Sequence, residues 1–401
     1  MKLVFFSVVL NHHQAPVADE LYHILGEEYC FVELVNLGDT KGANEDYSKR
    51  PYLLRAWESS ENYNRAMELA RTAECCVFAG NDALLFEKER LKSGLLSFDM
   101  GERWLKQGIK SLASLRLWQW LKAYCFGNWK HKHLYKLCCS AFCASDHYKL
   151  GTFKGKCYKW GYFTKVLSEV SGFFDKRSGR ADYKFHDSSK SNETINQKPE
   201  TTERSVRLMW CARFINWKHP EMPIRLATKL KDAGYDFHLD MYGDGVMRVA
   251  MEKLSKKLNV ADFITFYGNV ANAEIHQAMR NHDIFLFTSD RGEGWGAVAN
   301  ESMSNGCVLV ASDAIGSTHY LIKHKETGMV FKSGDLDSLY EQVKYLLDNP
   351  DVRNTMSKAG RESMVNLWSP ANAAKSLLQL INDIQAGRET TIAEGPCSKA
   401  L

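Results

Sequence analysis

Residues 284–301 read IFLFTSDRGEGWGAVANE, and this stretch decides the fold of the second half of the 401-residue chain. Its first five residues form a short, nearly continuous apolar run, which is typical of a strand buried on both faces of a parallel sheet. The glycines that follow predict a loop, and the remainder predicts a helix from about Ala297 to Ser304. A strand, a glycine-rich loop and a helix in this order indicate an α/β unit.

The same alternation of apolar runs and helix-period segments continues on both sides of this stretch. We predict further strands at 208–212, 237–242, 264–267 and 308–311. Further helices are predicted at 224–233, 247–258, 273–280, 317–323, 336–347 and 370–384. Such an order favours a parallel sheet that is covered by helices on both faces.

The first half of the chain is less regular. Residues 3–10 and 75–79 are predicted to be parallel strands, and residues 17–25 a helix. Residues 181–205 are polar and predict a linker, so we expect one domain at 1–180 and a second at 206–368. The tail at 387–401 has no periodicity and is predicted to be disordered.

Composition excludes several classes of protein. Lys and Arg number 52 against 48 Asp and Glu, so the chain lacks the basic field of a dedicated nucleic-acid binder. The eleven cysteines show no paired metal-ligand spacing, which indicates reduced thiols in a cytoplasmic protein. No apolar run approaches the roughly 20 residues of a membrane-spanning helix.

Glu293 and Glu301 are the main candidates for ligand binding. Eight helical steps would leave them about 80° apart, so a shared helix face does not explain the pair. If Glu293 lies in the loop and the helix begins near Ala297, both carboxylates lie close to the helix N-terminus, beyond the carboxyl edge of the sheet, where open α/β sheets bind ligands. An ionised carboxylate is a strong hydrogen-bond acceptor for sugar hydroxyls, and the backbone N–H groups at the start of a helix can bind a phosphate. The alternative is that the two glutamates have no ligand and are simply a loop residue and a helix-start residue, which the helix dipole favours. The glycines around them make a functional site the better interpretation.

This pattern resembles the retaining glycosyltransferases of the GT-B fold, family 4 in particular, whose signature is two glutamates separated by seven residues. The resemblance covers 206–384 well and the first half loosely. It implies two Rossmann-like domains that face a cleft, with a C-terminal helix at 369–386 crossing back to the first domain. It also implies that Glu293 meets the donor sugar and Glu301 the ribose, with Gly294, Trp295 and Gly296 beside the donor.

A second matching segment follows the strand at 208–212. The family has an Arg and a Lys on this loop facing the diphosphate, and Arg213 and Lys218 occupy those places. Fixed cations stabilise the charge that develops on a departing diphosphate, so no metal or other cofactor is expected. Ala212 and His219 stand where the family usually has glycine.

Two glycine turns extend the donor site that the resemblance implies. Gly243 and Gly245 follow the strand at 237–242, and the family brings an equivalent turn close to the nucleotide. Gly268 and Asn269 follow the next strand and are expected to read the base. Alone, such turns are ordinary strand-to-helix connections.

In the first half, His12 and His13 stand where the family often has a glycine-rich loop. Neutral imidazoles there suit contact with the transferred sugar or the acceptor hydroxyl. The alternative is a polar turn in which Pro16 opens the next helix.

Residues 103–145 contain eight Lys and Arg, many aromatic residues and no Asp or Glu. Such a stretch suits contact with an anionic membrane surface, such as the inner face of the membrane. The alternative is a core helix with snorkelling lysines.

Together these features predict a retaining glycosyltransferase with a nucleotide diphosphate sugar as donor. The expected acceptor is a hydroxyl of a glycan or lipid-linked glycan, in surface polysaccharide synthesis. The alternative is a catalytically silent GT-B protein that binds a nucleotide sugar or acts as a scaffold. A Rossmann dehydrogenase fits less well, because no GxGxxG opens the first helix.

Overall fold

A computed structural model describes residues 1–36, 47–106, 108–122, 131–166 and 205–401. The predicted linker at 181–205 therefore lies outside the described residues, except for its last residue. The two halves of the chain form two separate parallel sheets. This architecture confirms the predicted fold class of two Rossmann-like α/β domains.

The first domain has a seven-stranded parallel sheet in the order β3-β2-β1-β4-β5-β6-β7. Its strands are β1 Leu3–Ser7, β2 Tyr29–Glu33, β3 Leu53–Arg55, β4 Cys75–Ala79, β5 Leu96–Gly101, β6 Leu134–Cys138 and β7 Cys157–Lys159. Its helices are α1 Ala15–Leu25, α2 Ser60–Thr72, α3 Leu84–Ser93, α4 Leu115–Leu121 and α5 Cys143–Lys149. β1 ends three residues before the predicted Leu10, because the chain turns away from the sheet there.

The second domain has a six-stranded parallel sheet in the order β10-β9-β8-β11-β12-β13. Its strands are β8 Val206–Cys211, β9 Phe237–Tyr242, β10 Ile264–Gly268, β11 Ile284–Phe287, β12 Val308–Ser312 and β13 Met329–Phe331. Its helices are α6 Glu221–Asp232, α7 Arg248–Lys257, α8 Asn272–Asn281, α9 Val298–Ser304, α10 Thr318–Leu321, α11 Leu336–Asp348 and α12 Pro350–Asn366. Four of the apolar runs predicted as strands, at 208–212, 237–242, 284–288 and 308–311, are interior strands of this sheet, whereas the run at 264–267 is the edge strand β10.

The last helix, α13 Pro370–Gln385, packs against α1 of the first domain. Ser369 caps it by accepting a hydrogen bond from the Asn372 N–H at 3.2 Å. Leu377 and Ile381 of α13 lie in the same buried cluster as Leu21 of α1. The second half of the chain thus returns to the first domain and adds to its core.

The C-terminal tail corrects the prediction of disorder. Beside β7, the N–H of Cys397 donates to the Lys159 carbonyl at 2.7 Å, and the Lys159 N–H donates to the Ser398 carbonyl at 2.8 Å. Cys397 and Ala400 are buried. The prediction was wrong because the tail satisfies the free edge of β7, a long-range pairing that leaves no periodic pattern.

Candidate functional site

Two loops at the carboxyl edge of the second sheet carry the predicted catalytic residues. The loop after β8 and the loop after β11 are joined by backbone and side-chain hydrogen bonds. The Thr288 hydroxyl donates to the Lys218 carbonyl at 2.7 Å, and the Asp290 N–H donates to the Trp217 carbonyl at 2.9 Å. These bonds hold the two loops in a fixed relative position.

Lys218 and Glu293 form an ion pair between the two loops. The Ser289 hydroxyl donates to the same carboxylate oxygen of Glu293 at 3.1 Å. Both charged side chains are mostly buried, at 14% and 13% exposure. The structure therefore brings one predicted cation and one predicted carboxylate into direct contact.

Arg213 lies on the same loop as Lys218 but is exposed. Its guanidinium carbon lies 5.7 Å from the centre of the Trp217 ring. In the described part of the chain it makes no ion pair with a carboxylate. Its charge is therefore available to an anionic ligand at this edge of the sheet.

Glu301 lies in the first turn of α9, and a histidine of α8 faces it. Nε2 of His276 is 4.0 Å from a carboxylate oxygen of Glu301. Burial opposes ionisation of Glu301, but attraction to His276, and more weakly to His13 and His12, holds the pKa of this carboxyl below its usual value. Glu301 is thus a charged acceptor in a sheltered position.

His12 and His13 approach Glu301 from the first domain. One ligand atom from each of the three residues lies within 4.8 Å of the other two. Burial, together with the neighbouring His12, lowers the pKa of His13 to about 4, so this ring is neutral at neutral pH. The ring also stacks on Tyr162, with centroids 5.8 Å apart. The two histidines therefore lie beside the Glu301 carboxylate, across the domain interface.

Glu102 of the first domain also forms a wall of the site. Its carboxylate accepts a hydrogen bond from the Tyr162 hydroxyl at 3.0 Å and pairs with Lys106. A Cβ on Gly294 would lie 1.9 Å from Oε2 of Glu102. The absence of a side chain at Gly294 therefore allows the two domains to pack closely. No local sequence pattern predicts this contact.

The predicted donor contact of Trp295 is corrected for its side chain. The ring is fully buried between the domains, near Tyr162 and Trp368, and its Nε1 donates to Oδ1 of Asn300 at 2.8 Å. Its carbonyl accepts a hydrogen bond from Ser317 at 2.5 Å. Aromatic bulk makes this residue a part of the domain interface rather than a wall of the cleft.

The glycine turns lie where the sequence placed them, at the same edge of the sheet. A Cβ on Gly243 would lie 2.1 Å from the Ala212 carbonyl oxygen, and Gly245 has the same close relation to Phe214. Gly268 has a φ of 77°, and Asn269 beside it is exposed. These glycines let the turn after β9 pack onto the loop that carries Arg213.

Gly296 and His219 adopt positive φ values in the two loops of the site. Gly296 has a φ of 74°, and a Cβ there would lie 2.3 Å from the Phe287 ring. His219, where glycine is usual, adopts a φ of 49°, a conformation that glycine accepts at least cost. Its ring contacts Glu221 at 2.9 Å and Asp290 at 3.3 Å, and these partners raise its pKa. The two carboxylates thus hold His219 in the turn.

Two cavities adjoin these residues. One of about 800 Å³ lies at the carboxyl edge of the first sheet, and Asn11, Glu102, Trp104, Trp120 and Tyr162 are among its lining residues. A second of about 630 Å³ is lined by residues of both domains, including His12, Asp19, Arg50, His276 and Glu301. Both have the size of small-molecule sites.

The basic stretch at 103–145 is only partly a charged surface. Lys136 is buried and pairs with Asp99 at 2.9 Å, and Arg103 pairs with Asp146 at 3.0 Å. These two cations are therefore paired within the protein, so the stretch at 103–145 does not form one continuous basic surface. Residues 107 and 123–130 lie outside the described part. Leu115 and Trp118 of α4 are exposed, at 81% and 50%.

Similar solved structures share this architecture, which is the GT-B fold. Anabaena Alr3699/HepE in complex with UDP superposes with a TM-score of 0.67 at 13% identity, over 96% of this chain and 100% of that chain. The lipopolysaccharide outer core galactosyltransferase WaaB superposes with a TM-score of 0.63 at 14% identity, over 94% of this chain and 99% of that chain. At such identities the likeness shows the fold alone.

The second domain also has relatives in sequence. Residues 191–363 match the model of the family described as glycosyl transferases group 1. The sulfoquinovosyl transferase SQD2 of Arabidopsis thaliana is 28% identical over 144 residues, 35% of this chain and 27% of its own length. A GDP-mannose-dependent α-(1-6)-phosphatidylinositol monomannoside mannosyltransferase of Mycobacterium tuberculosis is 30% identical over 158 residues, 37% of this chain and 40% of its own. The chain thus spans less than half the length of either relative.

Among the described residues, none of the helices is long and apolar enough to cross a membrane. The ten cysteines in this part of the chain are all free thiols.

Proposed function

We propose that this protein is a retaining glycosyltransferase that moves a sugar from a nucleotide diphosphate sugar onto a hydroxyl acceptor. One observation carries the proposal: Lys218, on the loop that also presents Arg213, meets Glu293 of the neighbouring loop at the carboxyl edge of the second sheet. A diphosphate needs fixed cations, and a sugar needs a hydrogen-bond acceptor beside them. The match of 191–363 to glycosyl transferases group 1 supports the same chemistry.

In this proposal each charged group has one task. Arg213 and Lys218 stabilise the negative charge that grows on the departing diphosphate as the bond to the sugar breaks. Glu293 accepts hydrogen bonds from sugar hydroxyls, and Glu301 accepts them from the ribose. Gly243, Gly245, Gly268, Asn269, Gly294 and Gly296 supply backbone around the donor.

Lys218 then has two partners. Its ammonium neutralises Glu293 in the structure, and the same group would neutralise a diphosphate oxygen when the donor is bound. The departing phosphate oxygen takes the proton of the acceptor hydroxyl on the same face of the sugar, so the configuration is retained. The reaction asks for no metal, because two side-chain cations face the leaving group.

The acceptor belongs in the 800 Å³ cavity of the first domain. Trp104, Trp120 and Tyr162 offer aromatic faces to sugar rings, and Asn11 and Glu102 offer polar groups to hydroxyls. This lining supports a glycan or the glycan part of a lipid-linked acceptor. His12 and His13 lie between this domain and Glu301, where they would steady the sugar nucleotide.

A lipid-linked acceptor would bring the protein to a membrane surface. Exposed Leu115 and Trp118 of α4 lie near Lys110 and Lys122 in sequence, a mixture of apolar and basic groups that suits an anionic leaflet. We therefore place the work of this enzyme in surface polysaccharide synthesis, at the inner face of the membrane.

A donor screen followed by a turnover assay tests the proposal. UDP, GDP and ADP sugars are first compared by thermal shift, since a specific ligand raises the melting temperature. The best donor is then incubated with candidate glycans, and nucleotide release is measured. We expect nucleotide release that depends on acceptor, and a product whose anomeric configuration equals that of the donor by NMR. Inversion would refute the retaining mechanism.

The rival proposal is a catalytically silent GT-B protein that binds a nucleotide sugar or serves as a scaffold. Such a protein would show a thermal shift with a donor and release no nucleotide with any acceptor. The Lys218–Glu293 pair weighs against a pure scaffold, and nucleotide release separates the enzyme from a silent protein that binds the donor.

A further inference from the structure

His12, His13 and Glu301, which the proposed function places beside the donor, also form a compact cluster of side chains that can bind a metal. The two histidines follow β1 of the first domain, and Glu301 lies in α9 of the second. One ligand atom from each residue lies within 4.8 Å of the other two. All three side chains are half-buried. Two imidazoles and a carboxylate thus converge on one point across the domain interface.

This ligand set is that of a transition metal. Zn²⁺ takes imidazole nitrogens and carboxylate oxygens, often two histidines and one glutamate with a fourth position left to water. A tetrahedral ion with bonds of about 2.1 Å holds its ligand atoms about 3.4 Å apart. The ligand atoms of the cluster lie within 4.8 Å of one another, so binding of the ion requires side-chain rotations that bring them to this spacing.

The surroundings of the cluster favour an ion as well. Nδ1 of His13 is buried and makes no hydrogen bond within the described part of the chain. The 630 Å³ cavity reaches His12 and Glu301 and gives an ion a path from solvent. His276 lines the same cavity, and its Nε2 lies 4.0 Å from a carboxylate oxygen of Glu301.

We propose that His12, His13 and Glu301 bind one Zn²⁺ ion that bridges the two domains and competes with the donor nucleotide for Glu301. The metal is an inhibitor in this scheme, since it occupies the carboxylate assigned to the ribose. Metal binding itself does not depend on the proposed function, whereas the competition rests on it.

Calorimetric titration of the full-length, EDTA-treated protein with Zn²⁺ tests the binding. We expect one ion per chain, and an affinity that falls at least about tenfold in each of His12→Gln, His13→Gln and Glu301→Gln. His23→Ala, an exposed histidine on α1, is the matched control and should bind as the wild type does. Unchanged affinity in all three variants would overturn the proposal.

Co²⁺ in place of Zn²⁺ identifies the ligands, because the chain also contains thiols. We expect visible absorption that the His13→Gln substitution removes, without the strong near-ultraviolet band of thiolate ligands. A thiolate band that persists in His13→Gln would place the metal on cysteines and refute this site.

The competition is measured by the affinity for UDP and GDP with and without saturating Zn²⁺. Weaker nucleotide binding in wild type, with no such effect in His13→Gln, supports the bridge. Equal nucleotide affinity with and without the metal refutes the competition. If neither nucleotide nor any sugar nucleotide binds, the proposed function fails while the metal titration still decides the metal site.

Discussion

The Lys218 ammonium contacts the Glu293 carboxylate, although 75 positions separate the two residues in sequence. The contact joins the loop after β8 to the loop after β11, which are neighbouring strands in the second sheet. Because both loops leave the same edge of the sheet, their charged residues share one small volume.

Replacing Glu293 with glutamine should remove transfer while leaving the fold intact. The substitution keeps size and removes the charge that pairs with Lys218, so we expect kcat to fall about 10² to 10³-fold. Steady-state kinetics and the melting temperature measure the two effects. Glu326→Gln, at an exposed glutamate of the same domain, is the control and should change neither. Turnover near the wild-type level in Glu293→Gln would contradict the assignment.

Arg213→Ala should reduce turnover more than donor affinity. The guanidinium is exposed in the structure and is expected to act chiefly as charge develops on the leaving diphosphate. We expect kcat to fall by about 10 to 10²-fold with a change in donor KM of about threefold or less. Arg225→Ala on α6 is the matched control. A rise in KM at constant kcat would show that Arg213 binds the ground state only.

Gly294→Ala should strain the domain interface. The added Cβ would lie 1.9 Å from the Glu102 carboxylate, so one side must move, at an expected cost of about 1–3 kcal/mol of unfolding free energy. Urea denaturation measures the loss. In a Glu102→Ala background the same substitution should cost much less, because the obstructing carboxylate is gone. An equal cost in both backgrounds would mean that Gly294 matters for another reason.

Deletion of residues 397–401 should destabilise the first domain. It removes the hydrogen bonds that the tail makes with β7 and uncovers the space filled by Cys397 and Ala400, at an expected cost of about 2–4 kcal/mol. Thermal unfolding provides the measurement. Removal of Leu401 alone, which is 91% exposed, should have no effect. If the longer deletion were equally silent, the tail would contribute nothing to the fold.

Sequence patterns located the second domain well because its strands are buried on both faces. The strand predicted at 284–288 is observed at Ile284–Phe287, and the strand predicted at 237–242 has the same bounds in the structure. In the first domain β3 and β7 are only three residues long, which is too short for a periodic signal. The position of an edge strand of this length is determined by its pairing with the neighbouring strand rather than by its own residues.

The sequence by itself determined the fold class and the placement of the glutamates, Arg213 and the glycine turns at one edge of a sheet. These features were predictable because buried strands require apolar residues and tight turns favour glycine, so each segment carries a local sequence pattern. Only the tertiary structure decided that Glu293 pairs with Lys218, that Glu102 presses on Gly294, and that His12 and His13 meet Glu301. Those contacts join segments far apart in the chain. The Lys218–Glu293 pair forms because β8 and β11 are neighbours in one sheet, and the other two contacts form because the two domains pack against each other.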